Sequence, residues 1–244
     1  MLFDIHCHLM AGVDDGADIP DESVRMLRLA ASGRTGGIVC TPHCNIPGSY
    51  QNYYSPEFDR QIRILRHMAA EQGIPVRIYP GQEVFLSGDF PRLIREGKII
   101  TLNRSVYMLC EFDPYESLSG ICRKLERAAA EGYVPIVAHP ERYLCVAEEA
   151  SASDRIRAAG ALLQLNKGSL KGAFGPDAQR VAHHLLSRRK ADFVASDAHS
   201  PYMRTPFLAD VHEMICELYS MEYSDFLLRD NPLRVIQNQK IYHY

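Results

Sequence analysis

The chain has 244 residues, 46% of them hydrophobic and 23% charged, and its 27 Lys+Arg against 30 Asp+Glu leave a formal charge of −3. That length and apolar content suit a folded chain with a sizeable core and exclude disorder as the main theme. There is no basic excess to bind nucleic acid through its field, no apolar run of about 18 residues to insert in a membrane, and no basic-then-apolar leader in MLFDIHCHLM, so a cytoplasmic protein is expected.

Strand and helix signals alternate along the chain. Apolar runs bounded by Gly, Pro or polar residues predict buried strands over 2–7, 36–42, 76–84, 106–112, 134–139, 161–166 and 191–197, the third being the least regular because of Pro80. Pro20 to Gly33 reads as a helix between the first two. Ser55-Pro56 supplies an N-cap and a first-turn proline for the next helix, whose apolar face is Phe58, Ile62, Leu65 and Ala69 and which Gly73 ends. Ser117 to Gly132, Ser153 to Gly160 and Pro176 to Arg189 follow with less regularity. Thr205-Pro206 starts another helix with a Leu208, Val211, Ile215 stripe, and the tail from Ser224 holds two short helices, the second opened by Asn231-Pro232. The alternation predicts one α/β domain over residues 1–244, with parallel strands covered by helices. A closed or nearly closed barrel of about seven strands fits, with an open doubly wound sheet as the alternative.

The chemistry-bearing residues fall at the C-terminal ends of those predicted strands: His6 and His8, His43, Glu83, Glu111, His139, then Asp197 and His199. In parallel barrels that end carries the active site, assembled from several strand tips. His6 and His8 are two apart on a strand, so both imidazoles point to one side. A Glu closing a buried strand needs a partner, and a metal cation is one, an Arg or Lys another. Asp14-Asp15-Gly16 is a turn signal in its own right, yet it lies close enough to His8 to fold back over the same ends. Imidazoles and carboxylates without thiolate suit Mn²⁺, Fe²⁺ or Zn²⁺, and their number implies two or three ions. Clustered ions acidify a bound water and neutralise an anionic substrate, which fits hydrolysis of a phosphate ester. Arg142 in AHPER and Arg204 after SDAH stand where a guanidinium fork can take two phosphoryl oxygens; their structural alternatives are ion pairs with Glu141 and Asp210.

The seven cysteines, at 7, 40, 44, 110, 122, 145 and 216, include no CxxC pair and read as reduced thiols. None is followed six residues later by an arginine, so the nucleophile-to-Arg spacing of cysteine-based phosphatases is missing.

DIHCHLMAGVDDG, TPH, GQEV, CEF, AHPERY and ASDAH, in this order and spacing, resemble the polymerase-and-histidinol-phosphatase (PHP) superfamily, and more closely its bacterial protein-tyrosine phosphatases of the capsular polysaccharide CpsB type. The likeness runs from residue 1 to about residue 240. It implies a distorted seven-stranded (β/α) barrel of PHP type holding three divalent metal ions, manganese foremost, with Fe²⁺ or Zn²⁺ as the others. Carried over, His6, His8, Glu83 and Asp197 bind one ion, Glu83, Glu111 and His139 a second, and Asp15, His43 and His199 the third, with Asp14 as the alternative to Asp15. Arg142 and Arg204 match the phosphate-gripping arginines, and Asp197 and His199 stand with them as catalytic residues. The implied substrate is phosphotyrosine in protein, on the tail of a bacterial tyrosine kinase that regulates capsular polysaccharide or exopolysaccharide synthesis. Other PHP activities, histidinol-phosphate phosphatase or exonuclease, are the near rivals, and a metal-free regulatory barrel the distant one. Residues 44–54 are expected to overhang the site, with Tyr50, Tyr53 and Tyr54 either meeting a substrate ring or serving the loop.

Overall fold

The computed structural model describes residues 1–244. Its strands are β1 (Leu2–Cys7), β2 (Thr35–Cys40), β3 (His43–Cys44), β4 (Arg77–Pro80), β5 (Glu83–Phe85), β6 (Tyr107–Glu111), β7 (Val134–Ala138), β8 (Leu162–Asn166) and β9 (Phe193–Ala195). Every pairing is parallel, in the orders β1-β2-β4 and β3-β5-β6-β7-β8-β9. The two sheets join because β3 continues β2 after Thr41-Pro42, and β5 continues β4 after Gly81-Gln82. The ring closes where Cys7 bridges Ala198, with Asp197 N donating to His6 O and His8 N to Ala198 O, each at 2.9 Å. There are nine strand segments; a count of seven holds only if each interrupted pair is taken as one bent stave.

The break in the third predicted strand lies after Pro80. At Gly81 an added Cβ would stand 2.7 Å from Val39 Cγ1, so the neighbouring stave requires bare backbone there. The buried Gln82 then replaces sheet bonds with side-chain ones, donating to Asn52 O and accepting from Ile100 N, each at 2.7 Å.

The helices are α1 (Pro20–Ser32), α2 (Pro56–Glu71), α3 (Phe90–Arg95), α4 (Leu118–Ala130), α5 (Leu144–Glu148), α6 (Ala152–Ala158), α7 (Lys167–Leu170), α8 (Pro176–Ser187), α9 (Ala209–Leu218), α10 (Met221–Asp225) and α11 (Asn231–Ile236), with a π turn over Phe226–Asp230. In α2 the Ser55 hydroxyl accepts from Phe58 N, and Phe58, Ile62, Leu65 and Ala69 are buried as the spacing predicts. Those three large side chains contribute roughly 1.5–3 kcal/mol each. The helix expected from Thr205 begins only at Ala209. Lys167 Nζ explains the delay: it takes the carbonyls of Thr205 (3.0 Å) and Phe207 (2.7 Å), holding this segment as a loop. The tail holds more helix than expected, with α10, the π turn and α11 following without a gap.

Ile5, Val39, Leu109, Ile136 and Phe193, from five strands, form one core with Val235 and Ile236 of α11, so the C-terminal helix plugs the end of the barrel where the strands begin. The opposite end is left for polar side chains.

Candidate metal centre

At that open end the strand tips place their polar residues within reach of one another. His6 lies within β1 and His8 just beyond it, flanking Cys7, which packs into the core shared with α1 and α2. His43 and Glu83 do not end long strands as the sequence suggests; they open β3 and β5, directly paired where the bent staves resume. Glu111 ends β6. His139 follows β7 and Asp197 follows β9, and both adopt left-handed backbone, φ 36° and 49°. For non-glycine residues this costs on the order of 1–3 kcal/mol, and such strain concentrates at functional sites.

Three groups of ligand atoms converge, each within 4.8 Å: His6, His8, Glu83 and Asp197; His43, Glu83 and Glu111; and His8, Asp15, His43 and His199. They share His8, His43 and Glu83, so they form one continuous cluster. Asp15 rather than Asp14 faces it, its Oδ1 lying 3.3 Å from both His43 Nε2 and His199 Nε2. Asp14 instead accepts from His8 Nδ1 (2.8 Å), His43 N and Gly16 N (2.9 Å each). Gly16 is required for this fold-back, because a Cβ there would sit 2.5 Å from His8 Cβ. His139 reaches the cluster through Glu83, its Nε2 standing 2.9 Å from Oε1.

The hydrogen bonds around the imidazoles aim their lone pairs inward. Gln164 Nε2 donates to Leu165 O, which turns Oε1 toward His6 Nδ1 at 2.8 Å; His6 therefore carries its proton on Nδ1 and presents Nε2. Asp14 does the same for His8, and the Asp197 carbonyl, 3.0 Å away, does so for His199. The His6 and His8 Nε2 atoms then lie only 3.2 Å apart. Glu83 Oε2 and His199 Nε2 are buried without a hydrogen-bond partner. Two facing lone pairs and an orphaned buried carboxylate oxygen are costly alone and fit a cation.

Electrostatics agrees. Burial would raise Glu83, but His6 and His43 opposite hold its carboxyl well below the ordinary range. Burial and the charge of Glu83 push Glu111 up to about 7, against the pull of His43. Burial opposes charge on His8, yet Asp14, Asp197 and Glu83 draw it well above the usual imidazole value. Burial likewise opposes charge on His43, and Glu83, Asp15 and Glu111 draw it upward. The carboxylates thus recruit positive charge to this mouth, which a divalent cation can provide.

Above the cluster opens a cleft of about 330 Å³ lined by Asp15, His43, Glu111, His139, Asp197 and His199, by both arginines, and by Ile46, Phe85, Phe112 and Pro114. Neither arginine forms the ion pair that was its structural alternative. Arg204 Nη2 donates to Asp197 Oδ2 at 2.6 Å, and Arg142 Nη1 lies 3.6 Å from the same oxygen. Glu141 is buried and accepts from Asn166 N, while Asp210 pairs with Lys171 and Lys167. The two guanidiniums instead share the ring of Phe174, at 4.6 and 5.3 Å from its centroid, a cation–π platform that leaves nitrogens free over the cleft. Of the loop tyrosines, Tyr50 lies parallel to His43 (centroids 5.8 Å, 7° between planes), whereas Tyr53 bonds Asn45 and Tyr54 bonds Asp59.

Sequence reasoning missed Gln164, Asn166 (a donor to Asp197 Oδ2), Lys167 and Phe174. For the first three the signal was available: polar residues in or just after a predicted buried strand. Phe174 carried none.

The chain is similar to known proteins. The family model described as capsular polysaccharide synthesis, CpsB/CapC, matches residues 2–237. A curated relative, tyrosine-protein phosphatase YwqE of Bacillus subtilis, is 29% identical over 242 residues, covering 99% of this chain and 94% of its own. A solved structure described as one of YwqE from Bacillus subtilis and CpsB from Streptococcus pneumoniae, metal-dependent tyrosine phosphatases, superposes with a TM-score of 0.92 at 28% identity, covering 100% of this chain and 97% of that one. A histidinol phosphate phosphatase from Lactococcus lactis, at 14% identity and a TM-score of 0.56 over 92% of this chain and 94% of its own, shares the fold. No helix here is long and apolar enough to cross a membrane.

Proposed function

The chain belongs to the CpsB/CapC family of capsular polysaccharide synthesis, and on that premise we propose that it is a metal-dependent phosphatase hydrolysing phosphotyrosine in protein. One observation carries the proposal: a continuous imidazole–carboxylate cluster with an orphaned buried oxygen lies beneath two arginines mounted on one aromatic ring.

Three divalent ions, manganese foremost, suit the donor set. His6, His8, Glu83 and Asp197 would hold one. Glu83, Glu111 and His139, which meets Glu83 at 2.9 Å, would hold a second; His43 is the imidazole within range of both carboxylates. Asp15, His43 and His199 would hold the third, beside His8. Bound there, the cations would supply an acidified water and neutralise phosphate charge.

The chain's own residues do the rest. Arg142 and Arg204 grip the phosphoryl oxygens, where charge grows as the ester bond breaks. Asp197 orients Arg204 through one oxygen and turns the other toward the imidazoles of His6, His8 and His199. Burial and the neighbouring His8 push His199 below the ordinary imidazole range, keeping it neutral and suited to metal ligation rather than proton donation. A tyrosine leaving group, of pKa about 10, needs little acid assistance. Phe85, Phe112, Pro114 and Ile46 offer apolar walls for its ring. The substrate we assign is the tyrosine-phosphorylated tail of a bacterial kinase controlling capsule or exopolysaccharide export, met in the cytoplasm by a single-domain enzyme.

The test compares phosphotyrosine peptide, histidinol phosphate and single-stranded DNA as substrates, with metal content measured on the same sample. Phosphotyrosine turnover that a chelator abolishes and Mn²⁺ restores is the expected result. Preference for either other substrate moves the chain to a different phosphoesterase activity, and full turnover by metal-free protein overturns the metal's role.

A further inference from the structure

A phosphorylated polypeptide must lie somewhere outside the cleft that takes its phosphotyrosine. Next to that cleft is a second, more open depression of about 590 Å³, and the two share Pro114, Arg142 and Tyr143. The cleft alone sits near the lower end of the roughly 300–1,000 Å³ that small-ligand sites occupy, so a free phosphate ester has no use for the larger space.

Two large apolar side chains at its edge are exposed: Tyr115 at 81% and Leu144 at 45%. Isolated exposed apolar residues are ordinary, but here two of them line one groove that opens into a catalytic mouth. The wall that carries them is tied down. Leu144 N donates to Pro114 O (2.9 Å), joining the start of α5 to the turn after β6, and Tyr115 N donates to Asp113 Oδ1 (2.8 Å). Phe174 and, on α8, Arg180 also line it, with Arg180 paired to Asp177 at 3.4 Å and Glu148 beside them. The groove is therefore preformed, apolar at Tyr115 and Leu144 and of mixed charge elsewhere, and it is continuous with the cleft through Arg142.

We propose that this groove binds the polypeptide immediately beside the phosphotyrosine, seating an apolar side chain between Tyr115 and Leu144. The inference rests on the phosphotyrosine reading above. Specificity then comes from the chain around the phosphotyrosine as well as from the phosphoryl group.

The experiment measures kcat/KM of the metal-loaded enzyme on free phosphotyrosine and on a phosphotyrosine peptide with apolar flanking residues, for the native chain and for Tyr115→Ala and Leu144→Asp. Both positions are exposed and outside the catalytic machinery, so free phosphotyrosine also checks folding. The peptide should be the better substrate of the native enzyme. Each substitution should lower its kcat/KM about fivefold to tenfold, mainly through KM, leaving free phosphotyrosine unchanged. Equal losses on both substrates, or no loss on the peptide, overturn the groove while the phosphatase stands. Turnover of neither substrate by the native enzyme removes the phosphatase reading, and the groove with it.

Discussion

One short strand, β9, has a buried aspartate at each end, and the two are answered differently. Asp192 enters the strand at the plugged end of the barrel, and Asp197 leaves it at the open end; both side chains are 2% exposed. Asp192 is saturated by this chain: Oδ2 accepts from Arg157 Nη1 (2.6 Å) and Leu163 N (2.9 Å), and Oδ1 faces His243 Nδ1 (3.0 Å). Asp197 is half saturated. Its Oδ2 takes Arg204 and Asn166, while Oδ1 looks at His6, His8 and His199 nitrogens at 3.3–3.5 Å, and its own backbone is left-handed. A buried acid at a strand end is thus no signature of chemistry. In this pair, the acid whose second oxygen faces three imidazoles is the one at the metal-ligand cluster.

The largest expected effect breaks the open end. Asp197→Asn leaves shape and burial nearly intact but removes the charge that faces the imidazoles and Arg204. Phosphotyrosine turnover should fall about a thousandfold or more, and metal content should drop with it. Elemental analysis beside kinetics checks this. Full metal content with lost activity would make Asp197 a holder of Arg204 alone.

The matching change at the plugged end should do the opposite. Asp192→Asn removes the buried charge that pairs Arg157, which keeps the Lys190 carbonyl, and loosens the His243 tail. Removing one member of a buried pair is destabilising, here by about 2–3 kcal/mol because Arg157 is 20% exposed. For a chain of this size that is a Tm lower by about 5–10 °C. Activity per folded molecule at low temperature should be unchanged, with metal content intact. A specific loss of activity would mean that the plugged end communicates with the mouth.

The same contrast explains what the sequence could disclose. Helices announce themselves locally: Ser55-Pro56 and the Phe58, Ile62, Leu65, Ala69 face place α2 correctly, because cap and stripe lie within a few turns of one another. The polar strand-tip residues were legible for a related reason, since an acid or imidazole closing an apolar run is locally anomalous. Features set by distant partners were not. The stave break at Gly81 depends on Val39, more than forty positions away, and the late start of α9 depends on Lys167. Asp14 and Asp15 are indistinguishable as neighbours in a turn; only the fold turns one to His8 Nδ1 and the other to His43 and His199. That Arg142 and Arg204 stand at the mouth was legible; that Asp197 lies beside both, and not the sequence-near Glu141 and Asp210, is set by the barrel.

Phe174 is the sharpest case of that blindness and gives the smallest effect. It sits in the loop between α7 and α8, where an aromatic residue looks incidental. Its ring rests on Gly168, where a Cβ would stand 2.5 Å from Cε2, so the bare backbone of α7 makes room for it. Both guanidiniums lie over the ring, and each such contact is worth about 0.5–2 kcal/mol. Phe174→Leu keeps an apolar side chain on Gly168 but removes the π face, so the arginines lose their common support and gain rotamer freedom. The expected result is a kcat/KM for phosphotyrosine about tenfold lower, with unchanged metal content and a stability change of about 1 kcal/mol or less. Phe174→Tyr, which keeps the face, should restore most of the loss. If both variants are equally impaired, the ring matters for its fit against Gly168 and not for the cations above it. If neither is, Asp197 alone suffices to hold the two arginines over the cleft.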